Sequence, residues 1–245
     1  VSFFTAASCA GRGGDISEGS LSENLTEPLL RSWDAMLIMT PCDRCSLKDW
    51  HYYHPICMPS PKNIQGILIS RDPTTDFIEP YKHYDHDKGL FQYKEAPPTW
   101  LYNRILSFMK YGSNSHESIY LRNFLNSNCY WTHFHKCPTL KGDKDFHFSY
   151  KHGKECAGFW FDYEYSTYNL NGKILILLGQ DLKKYYDENP DNQLFKNNTV
   201  FFLPHPSGIN MGSGWSWNPN KPEGDVYKKE IKKTIEELMS RVLIS

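Results

Sequence analysis

Four short apolar runs punctuate the chain: Gly66-Ile67-Leu68-Ile69-Ser70, Cys129-Tyr130-Trp131-Thr132-His133-Phe134, residues 173–179 around Ile174-Leu175-Ile176-Leu177-Leu178, and Val200-Phe201-Phe202-Leu203. Their apolar residues are consecutive rather than alternating, so they predict strands buried on both faces, as in a parallel sheet. Helical patterns fill the gaps. One opens at Pro97-Pro98 and runs through Trp100, Ile105, Leu106 and Met109; others are predicted over 117–126 and 158–168, and from Gln180-Asp181 onward. Val226, Tyr227, Ile231, Ile235, Leu238 and Val242 mark the buried face of a terminal helix, after a loop at 215–222. Strands alternating with helices predict an α/β fold of three layers, α/β/α, around a central four-stranded parallel sheet.

The 245 residues, 40% hydrophobic, suffice for one substantial core. Residues 8–28 are rich in Ser, Gly, Glu and Asn, so 1–28 reads as a flexible segment ahead of a single domain at 29–245, which opens with a short amphipathic helix near Leu29-Leu30-Arg31-Ser32-Trp33. A formal net charge of −1 excludes a nonspecific polyanion coat and leaves room for a local basic patch. No apolar run approaches the roughly 20 residues that span a bilayer, and the first residues lack a basic region followed by an apolar one, so a cytoplasmic protein without membrane contact is expected; it is expected to be a monomer as well. Aromatic residues make up 15%, enough to supply both a core and flat faces for stacking on bases.

Candidate chemistry gathers where the strands end. The last run stops at Pro204-His205-Pro206-Ser207-Gly208, where two prolines restrict the backbone around an imidazole. The first stops at Arg71-Asp72-Pro73-Thr74, which carries Asp72 to the same sheet edge, and the second offers Thr132 and His133. That edge is where ligands bind in open α/β sheets. Seven cysteines, an odd number in a chain that needs no staples, favour metal over a disulfide framework. Cys42 and Cys45 are spaced to grip one centre, and Cys137 and Cys156 follow, with 18 residues between them. The polar loop at 75–89 contains His83, Tyr84, Asp85, His86 and Asp87; a solvated loop is its commoner reading, a metal-dependent hydrolase using His83, His86 and Asp87 the rarer one.

These residues together resemble the uracil-DNA glycosylase superfamily, closest to its iron-sulfur branch. The matching elements are Cys42 and Cys45, the segment from Thr132 to Cys137, Cys156, Leu178-Gly179, Pro73, Gly89 to Phe91, and the His-Pro-Ser motif at His205 to Ser207. The resemblance runs from about Cys42 to the terminal helix. It implies a DNA-binding enzyme that rotates a nucleotide out of the duplex and hydrolyses its glycosidic bond. It also implies roles: Asp72 beside the sugar and His205 beside the departing base; Phe91 stacking on that base, with His133 and Arg71 at its edge; Ser207, Gly208 and Lys136 on a DNA phosphate, with Ile209 or Met211 wedging into the gap. Cys42, Cys45, Cys137 and Cys156 would hold a structural 4Fe-4S cluster, with zinc as the alternative that spacing alone leaves open. Cys9, Cys57 and Cys129 read as ordinary thiols.

Two departures bear on the substrate. The branch has Gly-Glu-Ala-Pro-Gly at its first strand end, where this chain has Ser70-Arg71-Asp72-Pro73-Thr74; Arg71 replaces the usual acid, and Asp72 stands where a Gln-Asp-Pro-Tyr branch keeps its carboxylate. The Asn that reads uracil is His133 here, and one imidazole nitrogen cannot offer donor and acceptor together. A modified pyrimidine, such as a modified cytosine of phage DNA, is therefore expected over plain uracil, with a role in antiviral defence rather than base excision repair. A non-catalytic module that binds a modified base is the competing reading from another class; it would have no need of Asp72.

Overall fold

The computed structural model describes residues 60–73, 84–85, 90–91, 97–137, 148–206, 217 and 224–244. The readings made on residues 1–59, including Cys42 and Cys45, and on Ser207, Gly208, Ile209 and Met211, lie outside these.

Strand β1 (Gly66–Ser70) is central, flanked by β4 (Cys129–His133) and β5 (Ile174–Leu178), with β6 (Thr199–Leu203) beyond β5. All four are parallel, in the order 2-1-3-4 counted along the chain, with Ile67 level with both Tyr130 and Leu175, and Ile176 level with Phe201. Every residue of β1, β4 and β5 is buried, which their unbroken apolar sequences require.

Alternate side chains of these strands feed two cores. Leu68, Trp131, Ile176, Leu178 and Leu203 pack with α1 (Pro97–Met109), α2 (His116–Asn123) and the terminal helix, α6 (Gly224–Val242), through Leu101, Ile105, Leu121, Ile231, Ile235 and Leu238. Ile67, Ile69, Tyr130, Leu175 and Leu177 pack with α3 (Tyr150–Thr167), α4 (Gln180–Glu188) and α5 (Gln193–Lys196), through Ala157, Phe161, Leu182, Tyr185, Leu194 and Phe195. The sheet is thus covered by helices on both faces. Each fully buried Leu, Ile or Phe stabilises the fold by about 1.5–3 kcal/mol.

The local differences from the sequence reading have identifiable causes. Helix α3 begins at Tyr150, eight residues before the predicted start, so Cys156 lies within it and not ahead of it. The helix accommodates Gly153 because the Phe134 ring fills the side-chain space: a Cβ there would come within 2.5 Å of Phe134 Cε1. Helix α2 gives way at Phe124 to a π-helical turn, Phe124–Asn128, that leads into β4. In α6 the buried face begins only at Ile231 and gains Met239; Val226 is 74% exposed and Tyr227 is exposed too. The polar loop at 75–89 is interrupted by a short antiparallel ribbon, β2 (Tyr84–Asp85) pairing with β3 (Leu90–Phe91). Among the described residues, no helix is long and apolar enough to cross a membrane.

Candidate functional site

The carboxyl ends of the four strands bring together residues that are far apart in the chain. From β1 come Arg71 and Asp72, from β4 His133 and His135, from the turn after β5 Asp181, and from β6 His205. The ladder extends past β4, with Phe134 N–H donating to Ser70 O at 2.8 Å and His135 N–H to Arg71 O at 2.9 Å, so these two strand ends leave the sheet as a pair. The His205 loop is held from both sides. Trp217 Nε1–H donates to Pro204 O at 2.9 Å, and Arg104 Nε–H, from α1, donates to Pro206 O at 3.1 Å. Trp217 is itself fixed edge-on against Phe108, with ring centroids 5.9 Å apart.

The charges are tightly coupled. Arg71 Nε–H donates to Oδ1 of buried Asp72, and the guanidinium lies over the Phe148 ring, 4.5 Å from its centroid. Burial lowers the His205 pKa to about 4, helped by the positive charge of Arg71 and opposed by Asp72. His135 also falls to about 4, through burial first, with Asp72 opposing and His152 and Arg71 assisting. His133 is held well below the usual imidazole range by burial, then by Lys136, His205 and His135. The Asp181 carboxyl is raised by burial, against Arg71 and with Asp72. All three imidazoles are therefore neutral near pH 7, and each offers one N–H donor and one acceptor.

His133 is the least satisfied of them. It is 1% exposed, its ring centroid lies 5.0 Å from that of Trp131, and neither ring nitrogen has a hydrogen-bond partner among the described residues. His135 Nδ1 is in the same condition. An orphaned buried polar group costs about 1–3 kcal/mol, so such atoms in a native fold call for a ligand or ordered water to complete them.

Arg71, Asp72, His133 and His205, read separately from the sequence, thus share one cluster. Lys136 does not join it as a phosphate contact. It is 1% exposed, and its Nζ pairs with Glu164 Oε1 at 2.7 Å and donates to Thr132 Oγ1, below the rings of Trp160 and Phe161. Thr132 and Tyr130 hydroxyls donate to the same carboxylate oxygen, at 2.7 and 2.9 Å. An ammonium bound in this way cannot reach DNA without leaving a buried carboxylate uncompensated. Of Phe91 only the strand backbone is described. His135, Asp181, Arg104 and Trp217 were not singled out from sequence; for His135 the available signal was its place two residues beyond His133, past the same strand end.

Two of the four proposed cluster ligands can be placed. Cys156, buried in α3, accepts the Lys136 N–H at 3.3 Å through Sγ, which brings the backbone preceding Cys137 against it. A sulfur ligand to a metal commonly accepts such a bond, and a neutral buried thiol does so too, so the contact by itself assigns no metal. Among the described residues, no group of three or more His, Cys, Asp or Glu side chains is arranged to hold a metal. Burial pushes the Cys129 thiol up, as suits an ordinary core cysteine.

Fold and site together define the class: an α/β protein whose parallel four-stranded sheet gathers one carboxylate–guanidinium pair and three neutral imidazoles at its carboxyl edge. The chain matches no protein-family model and no curated protein.

Proposed function

We propose that the protein is a monofunctional DNA glycosylase of the uracil-DNA glycosylase type, acting on a modified pyrimidine such as a modified cytosine of phage DNA, in antiviral defence. The observation that carries this reading is the gathering of Asp72, His205 and a His133 whose ring nitrogens have no partner among the described residues, in one cluster contributed by three different strand ends. Bond cleavage develops positive charge on the sugar and negative charge on the departing base. Asp72 stabilises the first and orients the attacking water, while the neutral His205 imidazole donates an N–H to the base oxygen that gathers the second. His133 completes its hydrogen bonding on the polar edge of the flipped base, and Arg71 lines that edge while holding Asp72 in place. Phe91 stacks on the base; Ser207 and Gly208 grip a phosphate, and Ile209 fills the vacated gap. Among the described residues no lysine is available as a Schiff-base nucleophile at the cluster, and the product is an intact abasic strand. Cys137 and Cys156, with Cys42 and Cys45, would hold a 4Fe-4S cluster, or zinc, as a structural brace.

One observation favours a second reading, a binding module for a modified base: Arg71 engages Asp72 Oδ1, which occupies one of the two oxygens that would orient a water. A single assay separates the two. DNAs containing uracil, thymine mismatches, hydroxymethylcytosine or glucosylated hydroxymethylcytosine are incubated with protein, and abasic sites are scored by alkali cleavage. Release of a modified cytosine, reduced about 10²–10⁴-fold in Asp72→Asn, is expected. Efficient uracil release with none from modified cytosine would return the protein to repair, and binding without any release would make it a reader.

A further inference from the structure

The two carbonyls on either side of His205 are held by different kinds of donor. Trp217, which takes Pro204 O, is buried and neutral, and it serves fully as a strut. Arg104, which takes Pro206 O, is exposed and charged. Its neighbours Leu101, Tyr102 and Ile105 are buried and fix α1 against the sheet, so the guanidinium is carried on a rigid element. Only the Nε–H is used on the loop; among the described residues the four further N–H donors have no partner. Among the described residues no carboxylate lies within ion-pair distance of Arg104, whereas Lys183, Lys184, Lys232 and Lys233 are paired along their own helices with Asp187, Glu188, Glu236 and Glu237.

We infer that Arg104 is a phosphate-binding residue: its guanidinium takes a DNA phosphodiester beside the His205 loop while its Nε–H holds that loop. A guanidinium suits this double duty because its planar fork presents donors on separate edges, and a neutral strut such as Trp217 would meet the loop's needs alone. Pro206 immediately precedes Ser207 in the chain, so the phosphate and the imidazole are set by one short loop. Engaging DNA at Arg104 thereby fixes the position of His205. The inference rests on the glycosylase reading for the identity of its ligand.

The test is equilibrium binding of a short fluorescein-labelled duplex DNA to the full chain at several salt concentrations, for wild type, Arg104→Gln and Arg104→Lys, with thermal melts to show that each is folded. Arg104→Gln is expected to weaken binding several-fold regardless of DNA sequence, and to reduce the slope of log Kd against log salt by about one. Arg104→Lys, which keeps the charge but not the fork, is expected to retain that slope and to lose turnover. An unchanged slope and Kd in Arg104→Gln, with wild type binding DNA, would overturn the phosphate role and leave Arg104 a strut. Failure of wild type itself to bind DNA would instead sink the functional reading, and this inference with it.

Discussion

At the scale of single residues, the site is defined by imidazoles kept from protonation. An unfolded imidazole takes up its proton near pH 6.5, whereas His135 and His205 do so only near pH 4 in the fold, and His133 is held well below the usual imidazole range. Between those values the unfolded chain binds more protons, so stability is lost as pH falls from about 6.5 towards 4. Asp181, whose carboxyl is raised, works in the opposite direction, but it is one group against three. His135 and His205 each contribute about 2–3 kcal/mol to this loss between pH 7 and pH 4.5, so urea unfolding at the two is expected to differ by about 4–6 kcal/mol; equal stability at both would show that the imidazoles are not held neutral by the fold. The same shifts keep His205 neutral across the working range, so its contribution to turnover should be flat above about pH 5.5. Of this cluster, Asp72, His133 and His205 were legible because each stands at or just past the end of an apolar run. Asp181 was not, because its acid reads equally well as the ordinary first turn of a helix.

Among the elements, β4 and α3 are tied by the Lys136–Glu164 pair with Thr132 and Tyr130. Lys136 and Glu164 are 1% and 2% exposed, and Glu164 Oε2 has no partner among the described residues. Removing one partner should therefore cost far more than removing both: Glu164→Leu alone about 3–5 kcal/mol, the double change with Lys136→Met within about 1–2 kcal/mol of wild type. A denaturant-unfolding cycle reads this directly, and additive single effects would contradict it. Sequence could not reveal the pair, since a lysine beside a strand end reads as surface until the helix that supplies its acid is in place. The start of α3 was hidden for a related reason. Ser149 makes no side-chain cap, and Gly153 argues locally against a helix that the packing of Phe134 favours. The strands fared better, because apolar runs bounded by Gly, Pro or charge state their own ends: β1 and β5 lie where the pattern predicts them.

For the whole molecule, the central position of β1 has a consequence for how the fold is reached. Ile67 is bonded on one side to a strand at Tyr130 and on the other to a strand at Leu175, both made later in synthesis. The central strand therefore leaves the ribosome with two open edges before either partner is made, and every sheet pairing closes a long loop. Refolding followed by tryptophan fluorescence is expected to take milliseconds to seconds, as for folds built from non-local contacts, and microsecond refolding would contradict this. Because Arg71 and Asp72 immediately follow that waiting strand, the chemistry at the sheet edge comes into being only in the last stages of folding, so a partly made chain displays no active fragment of it.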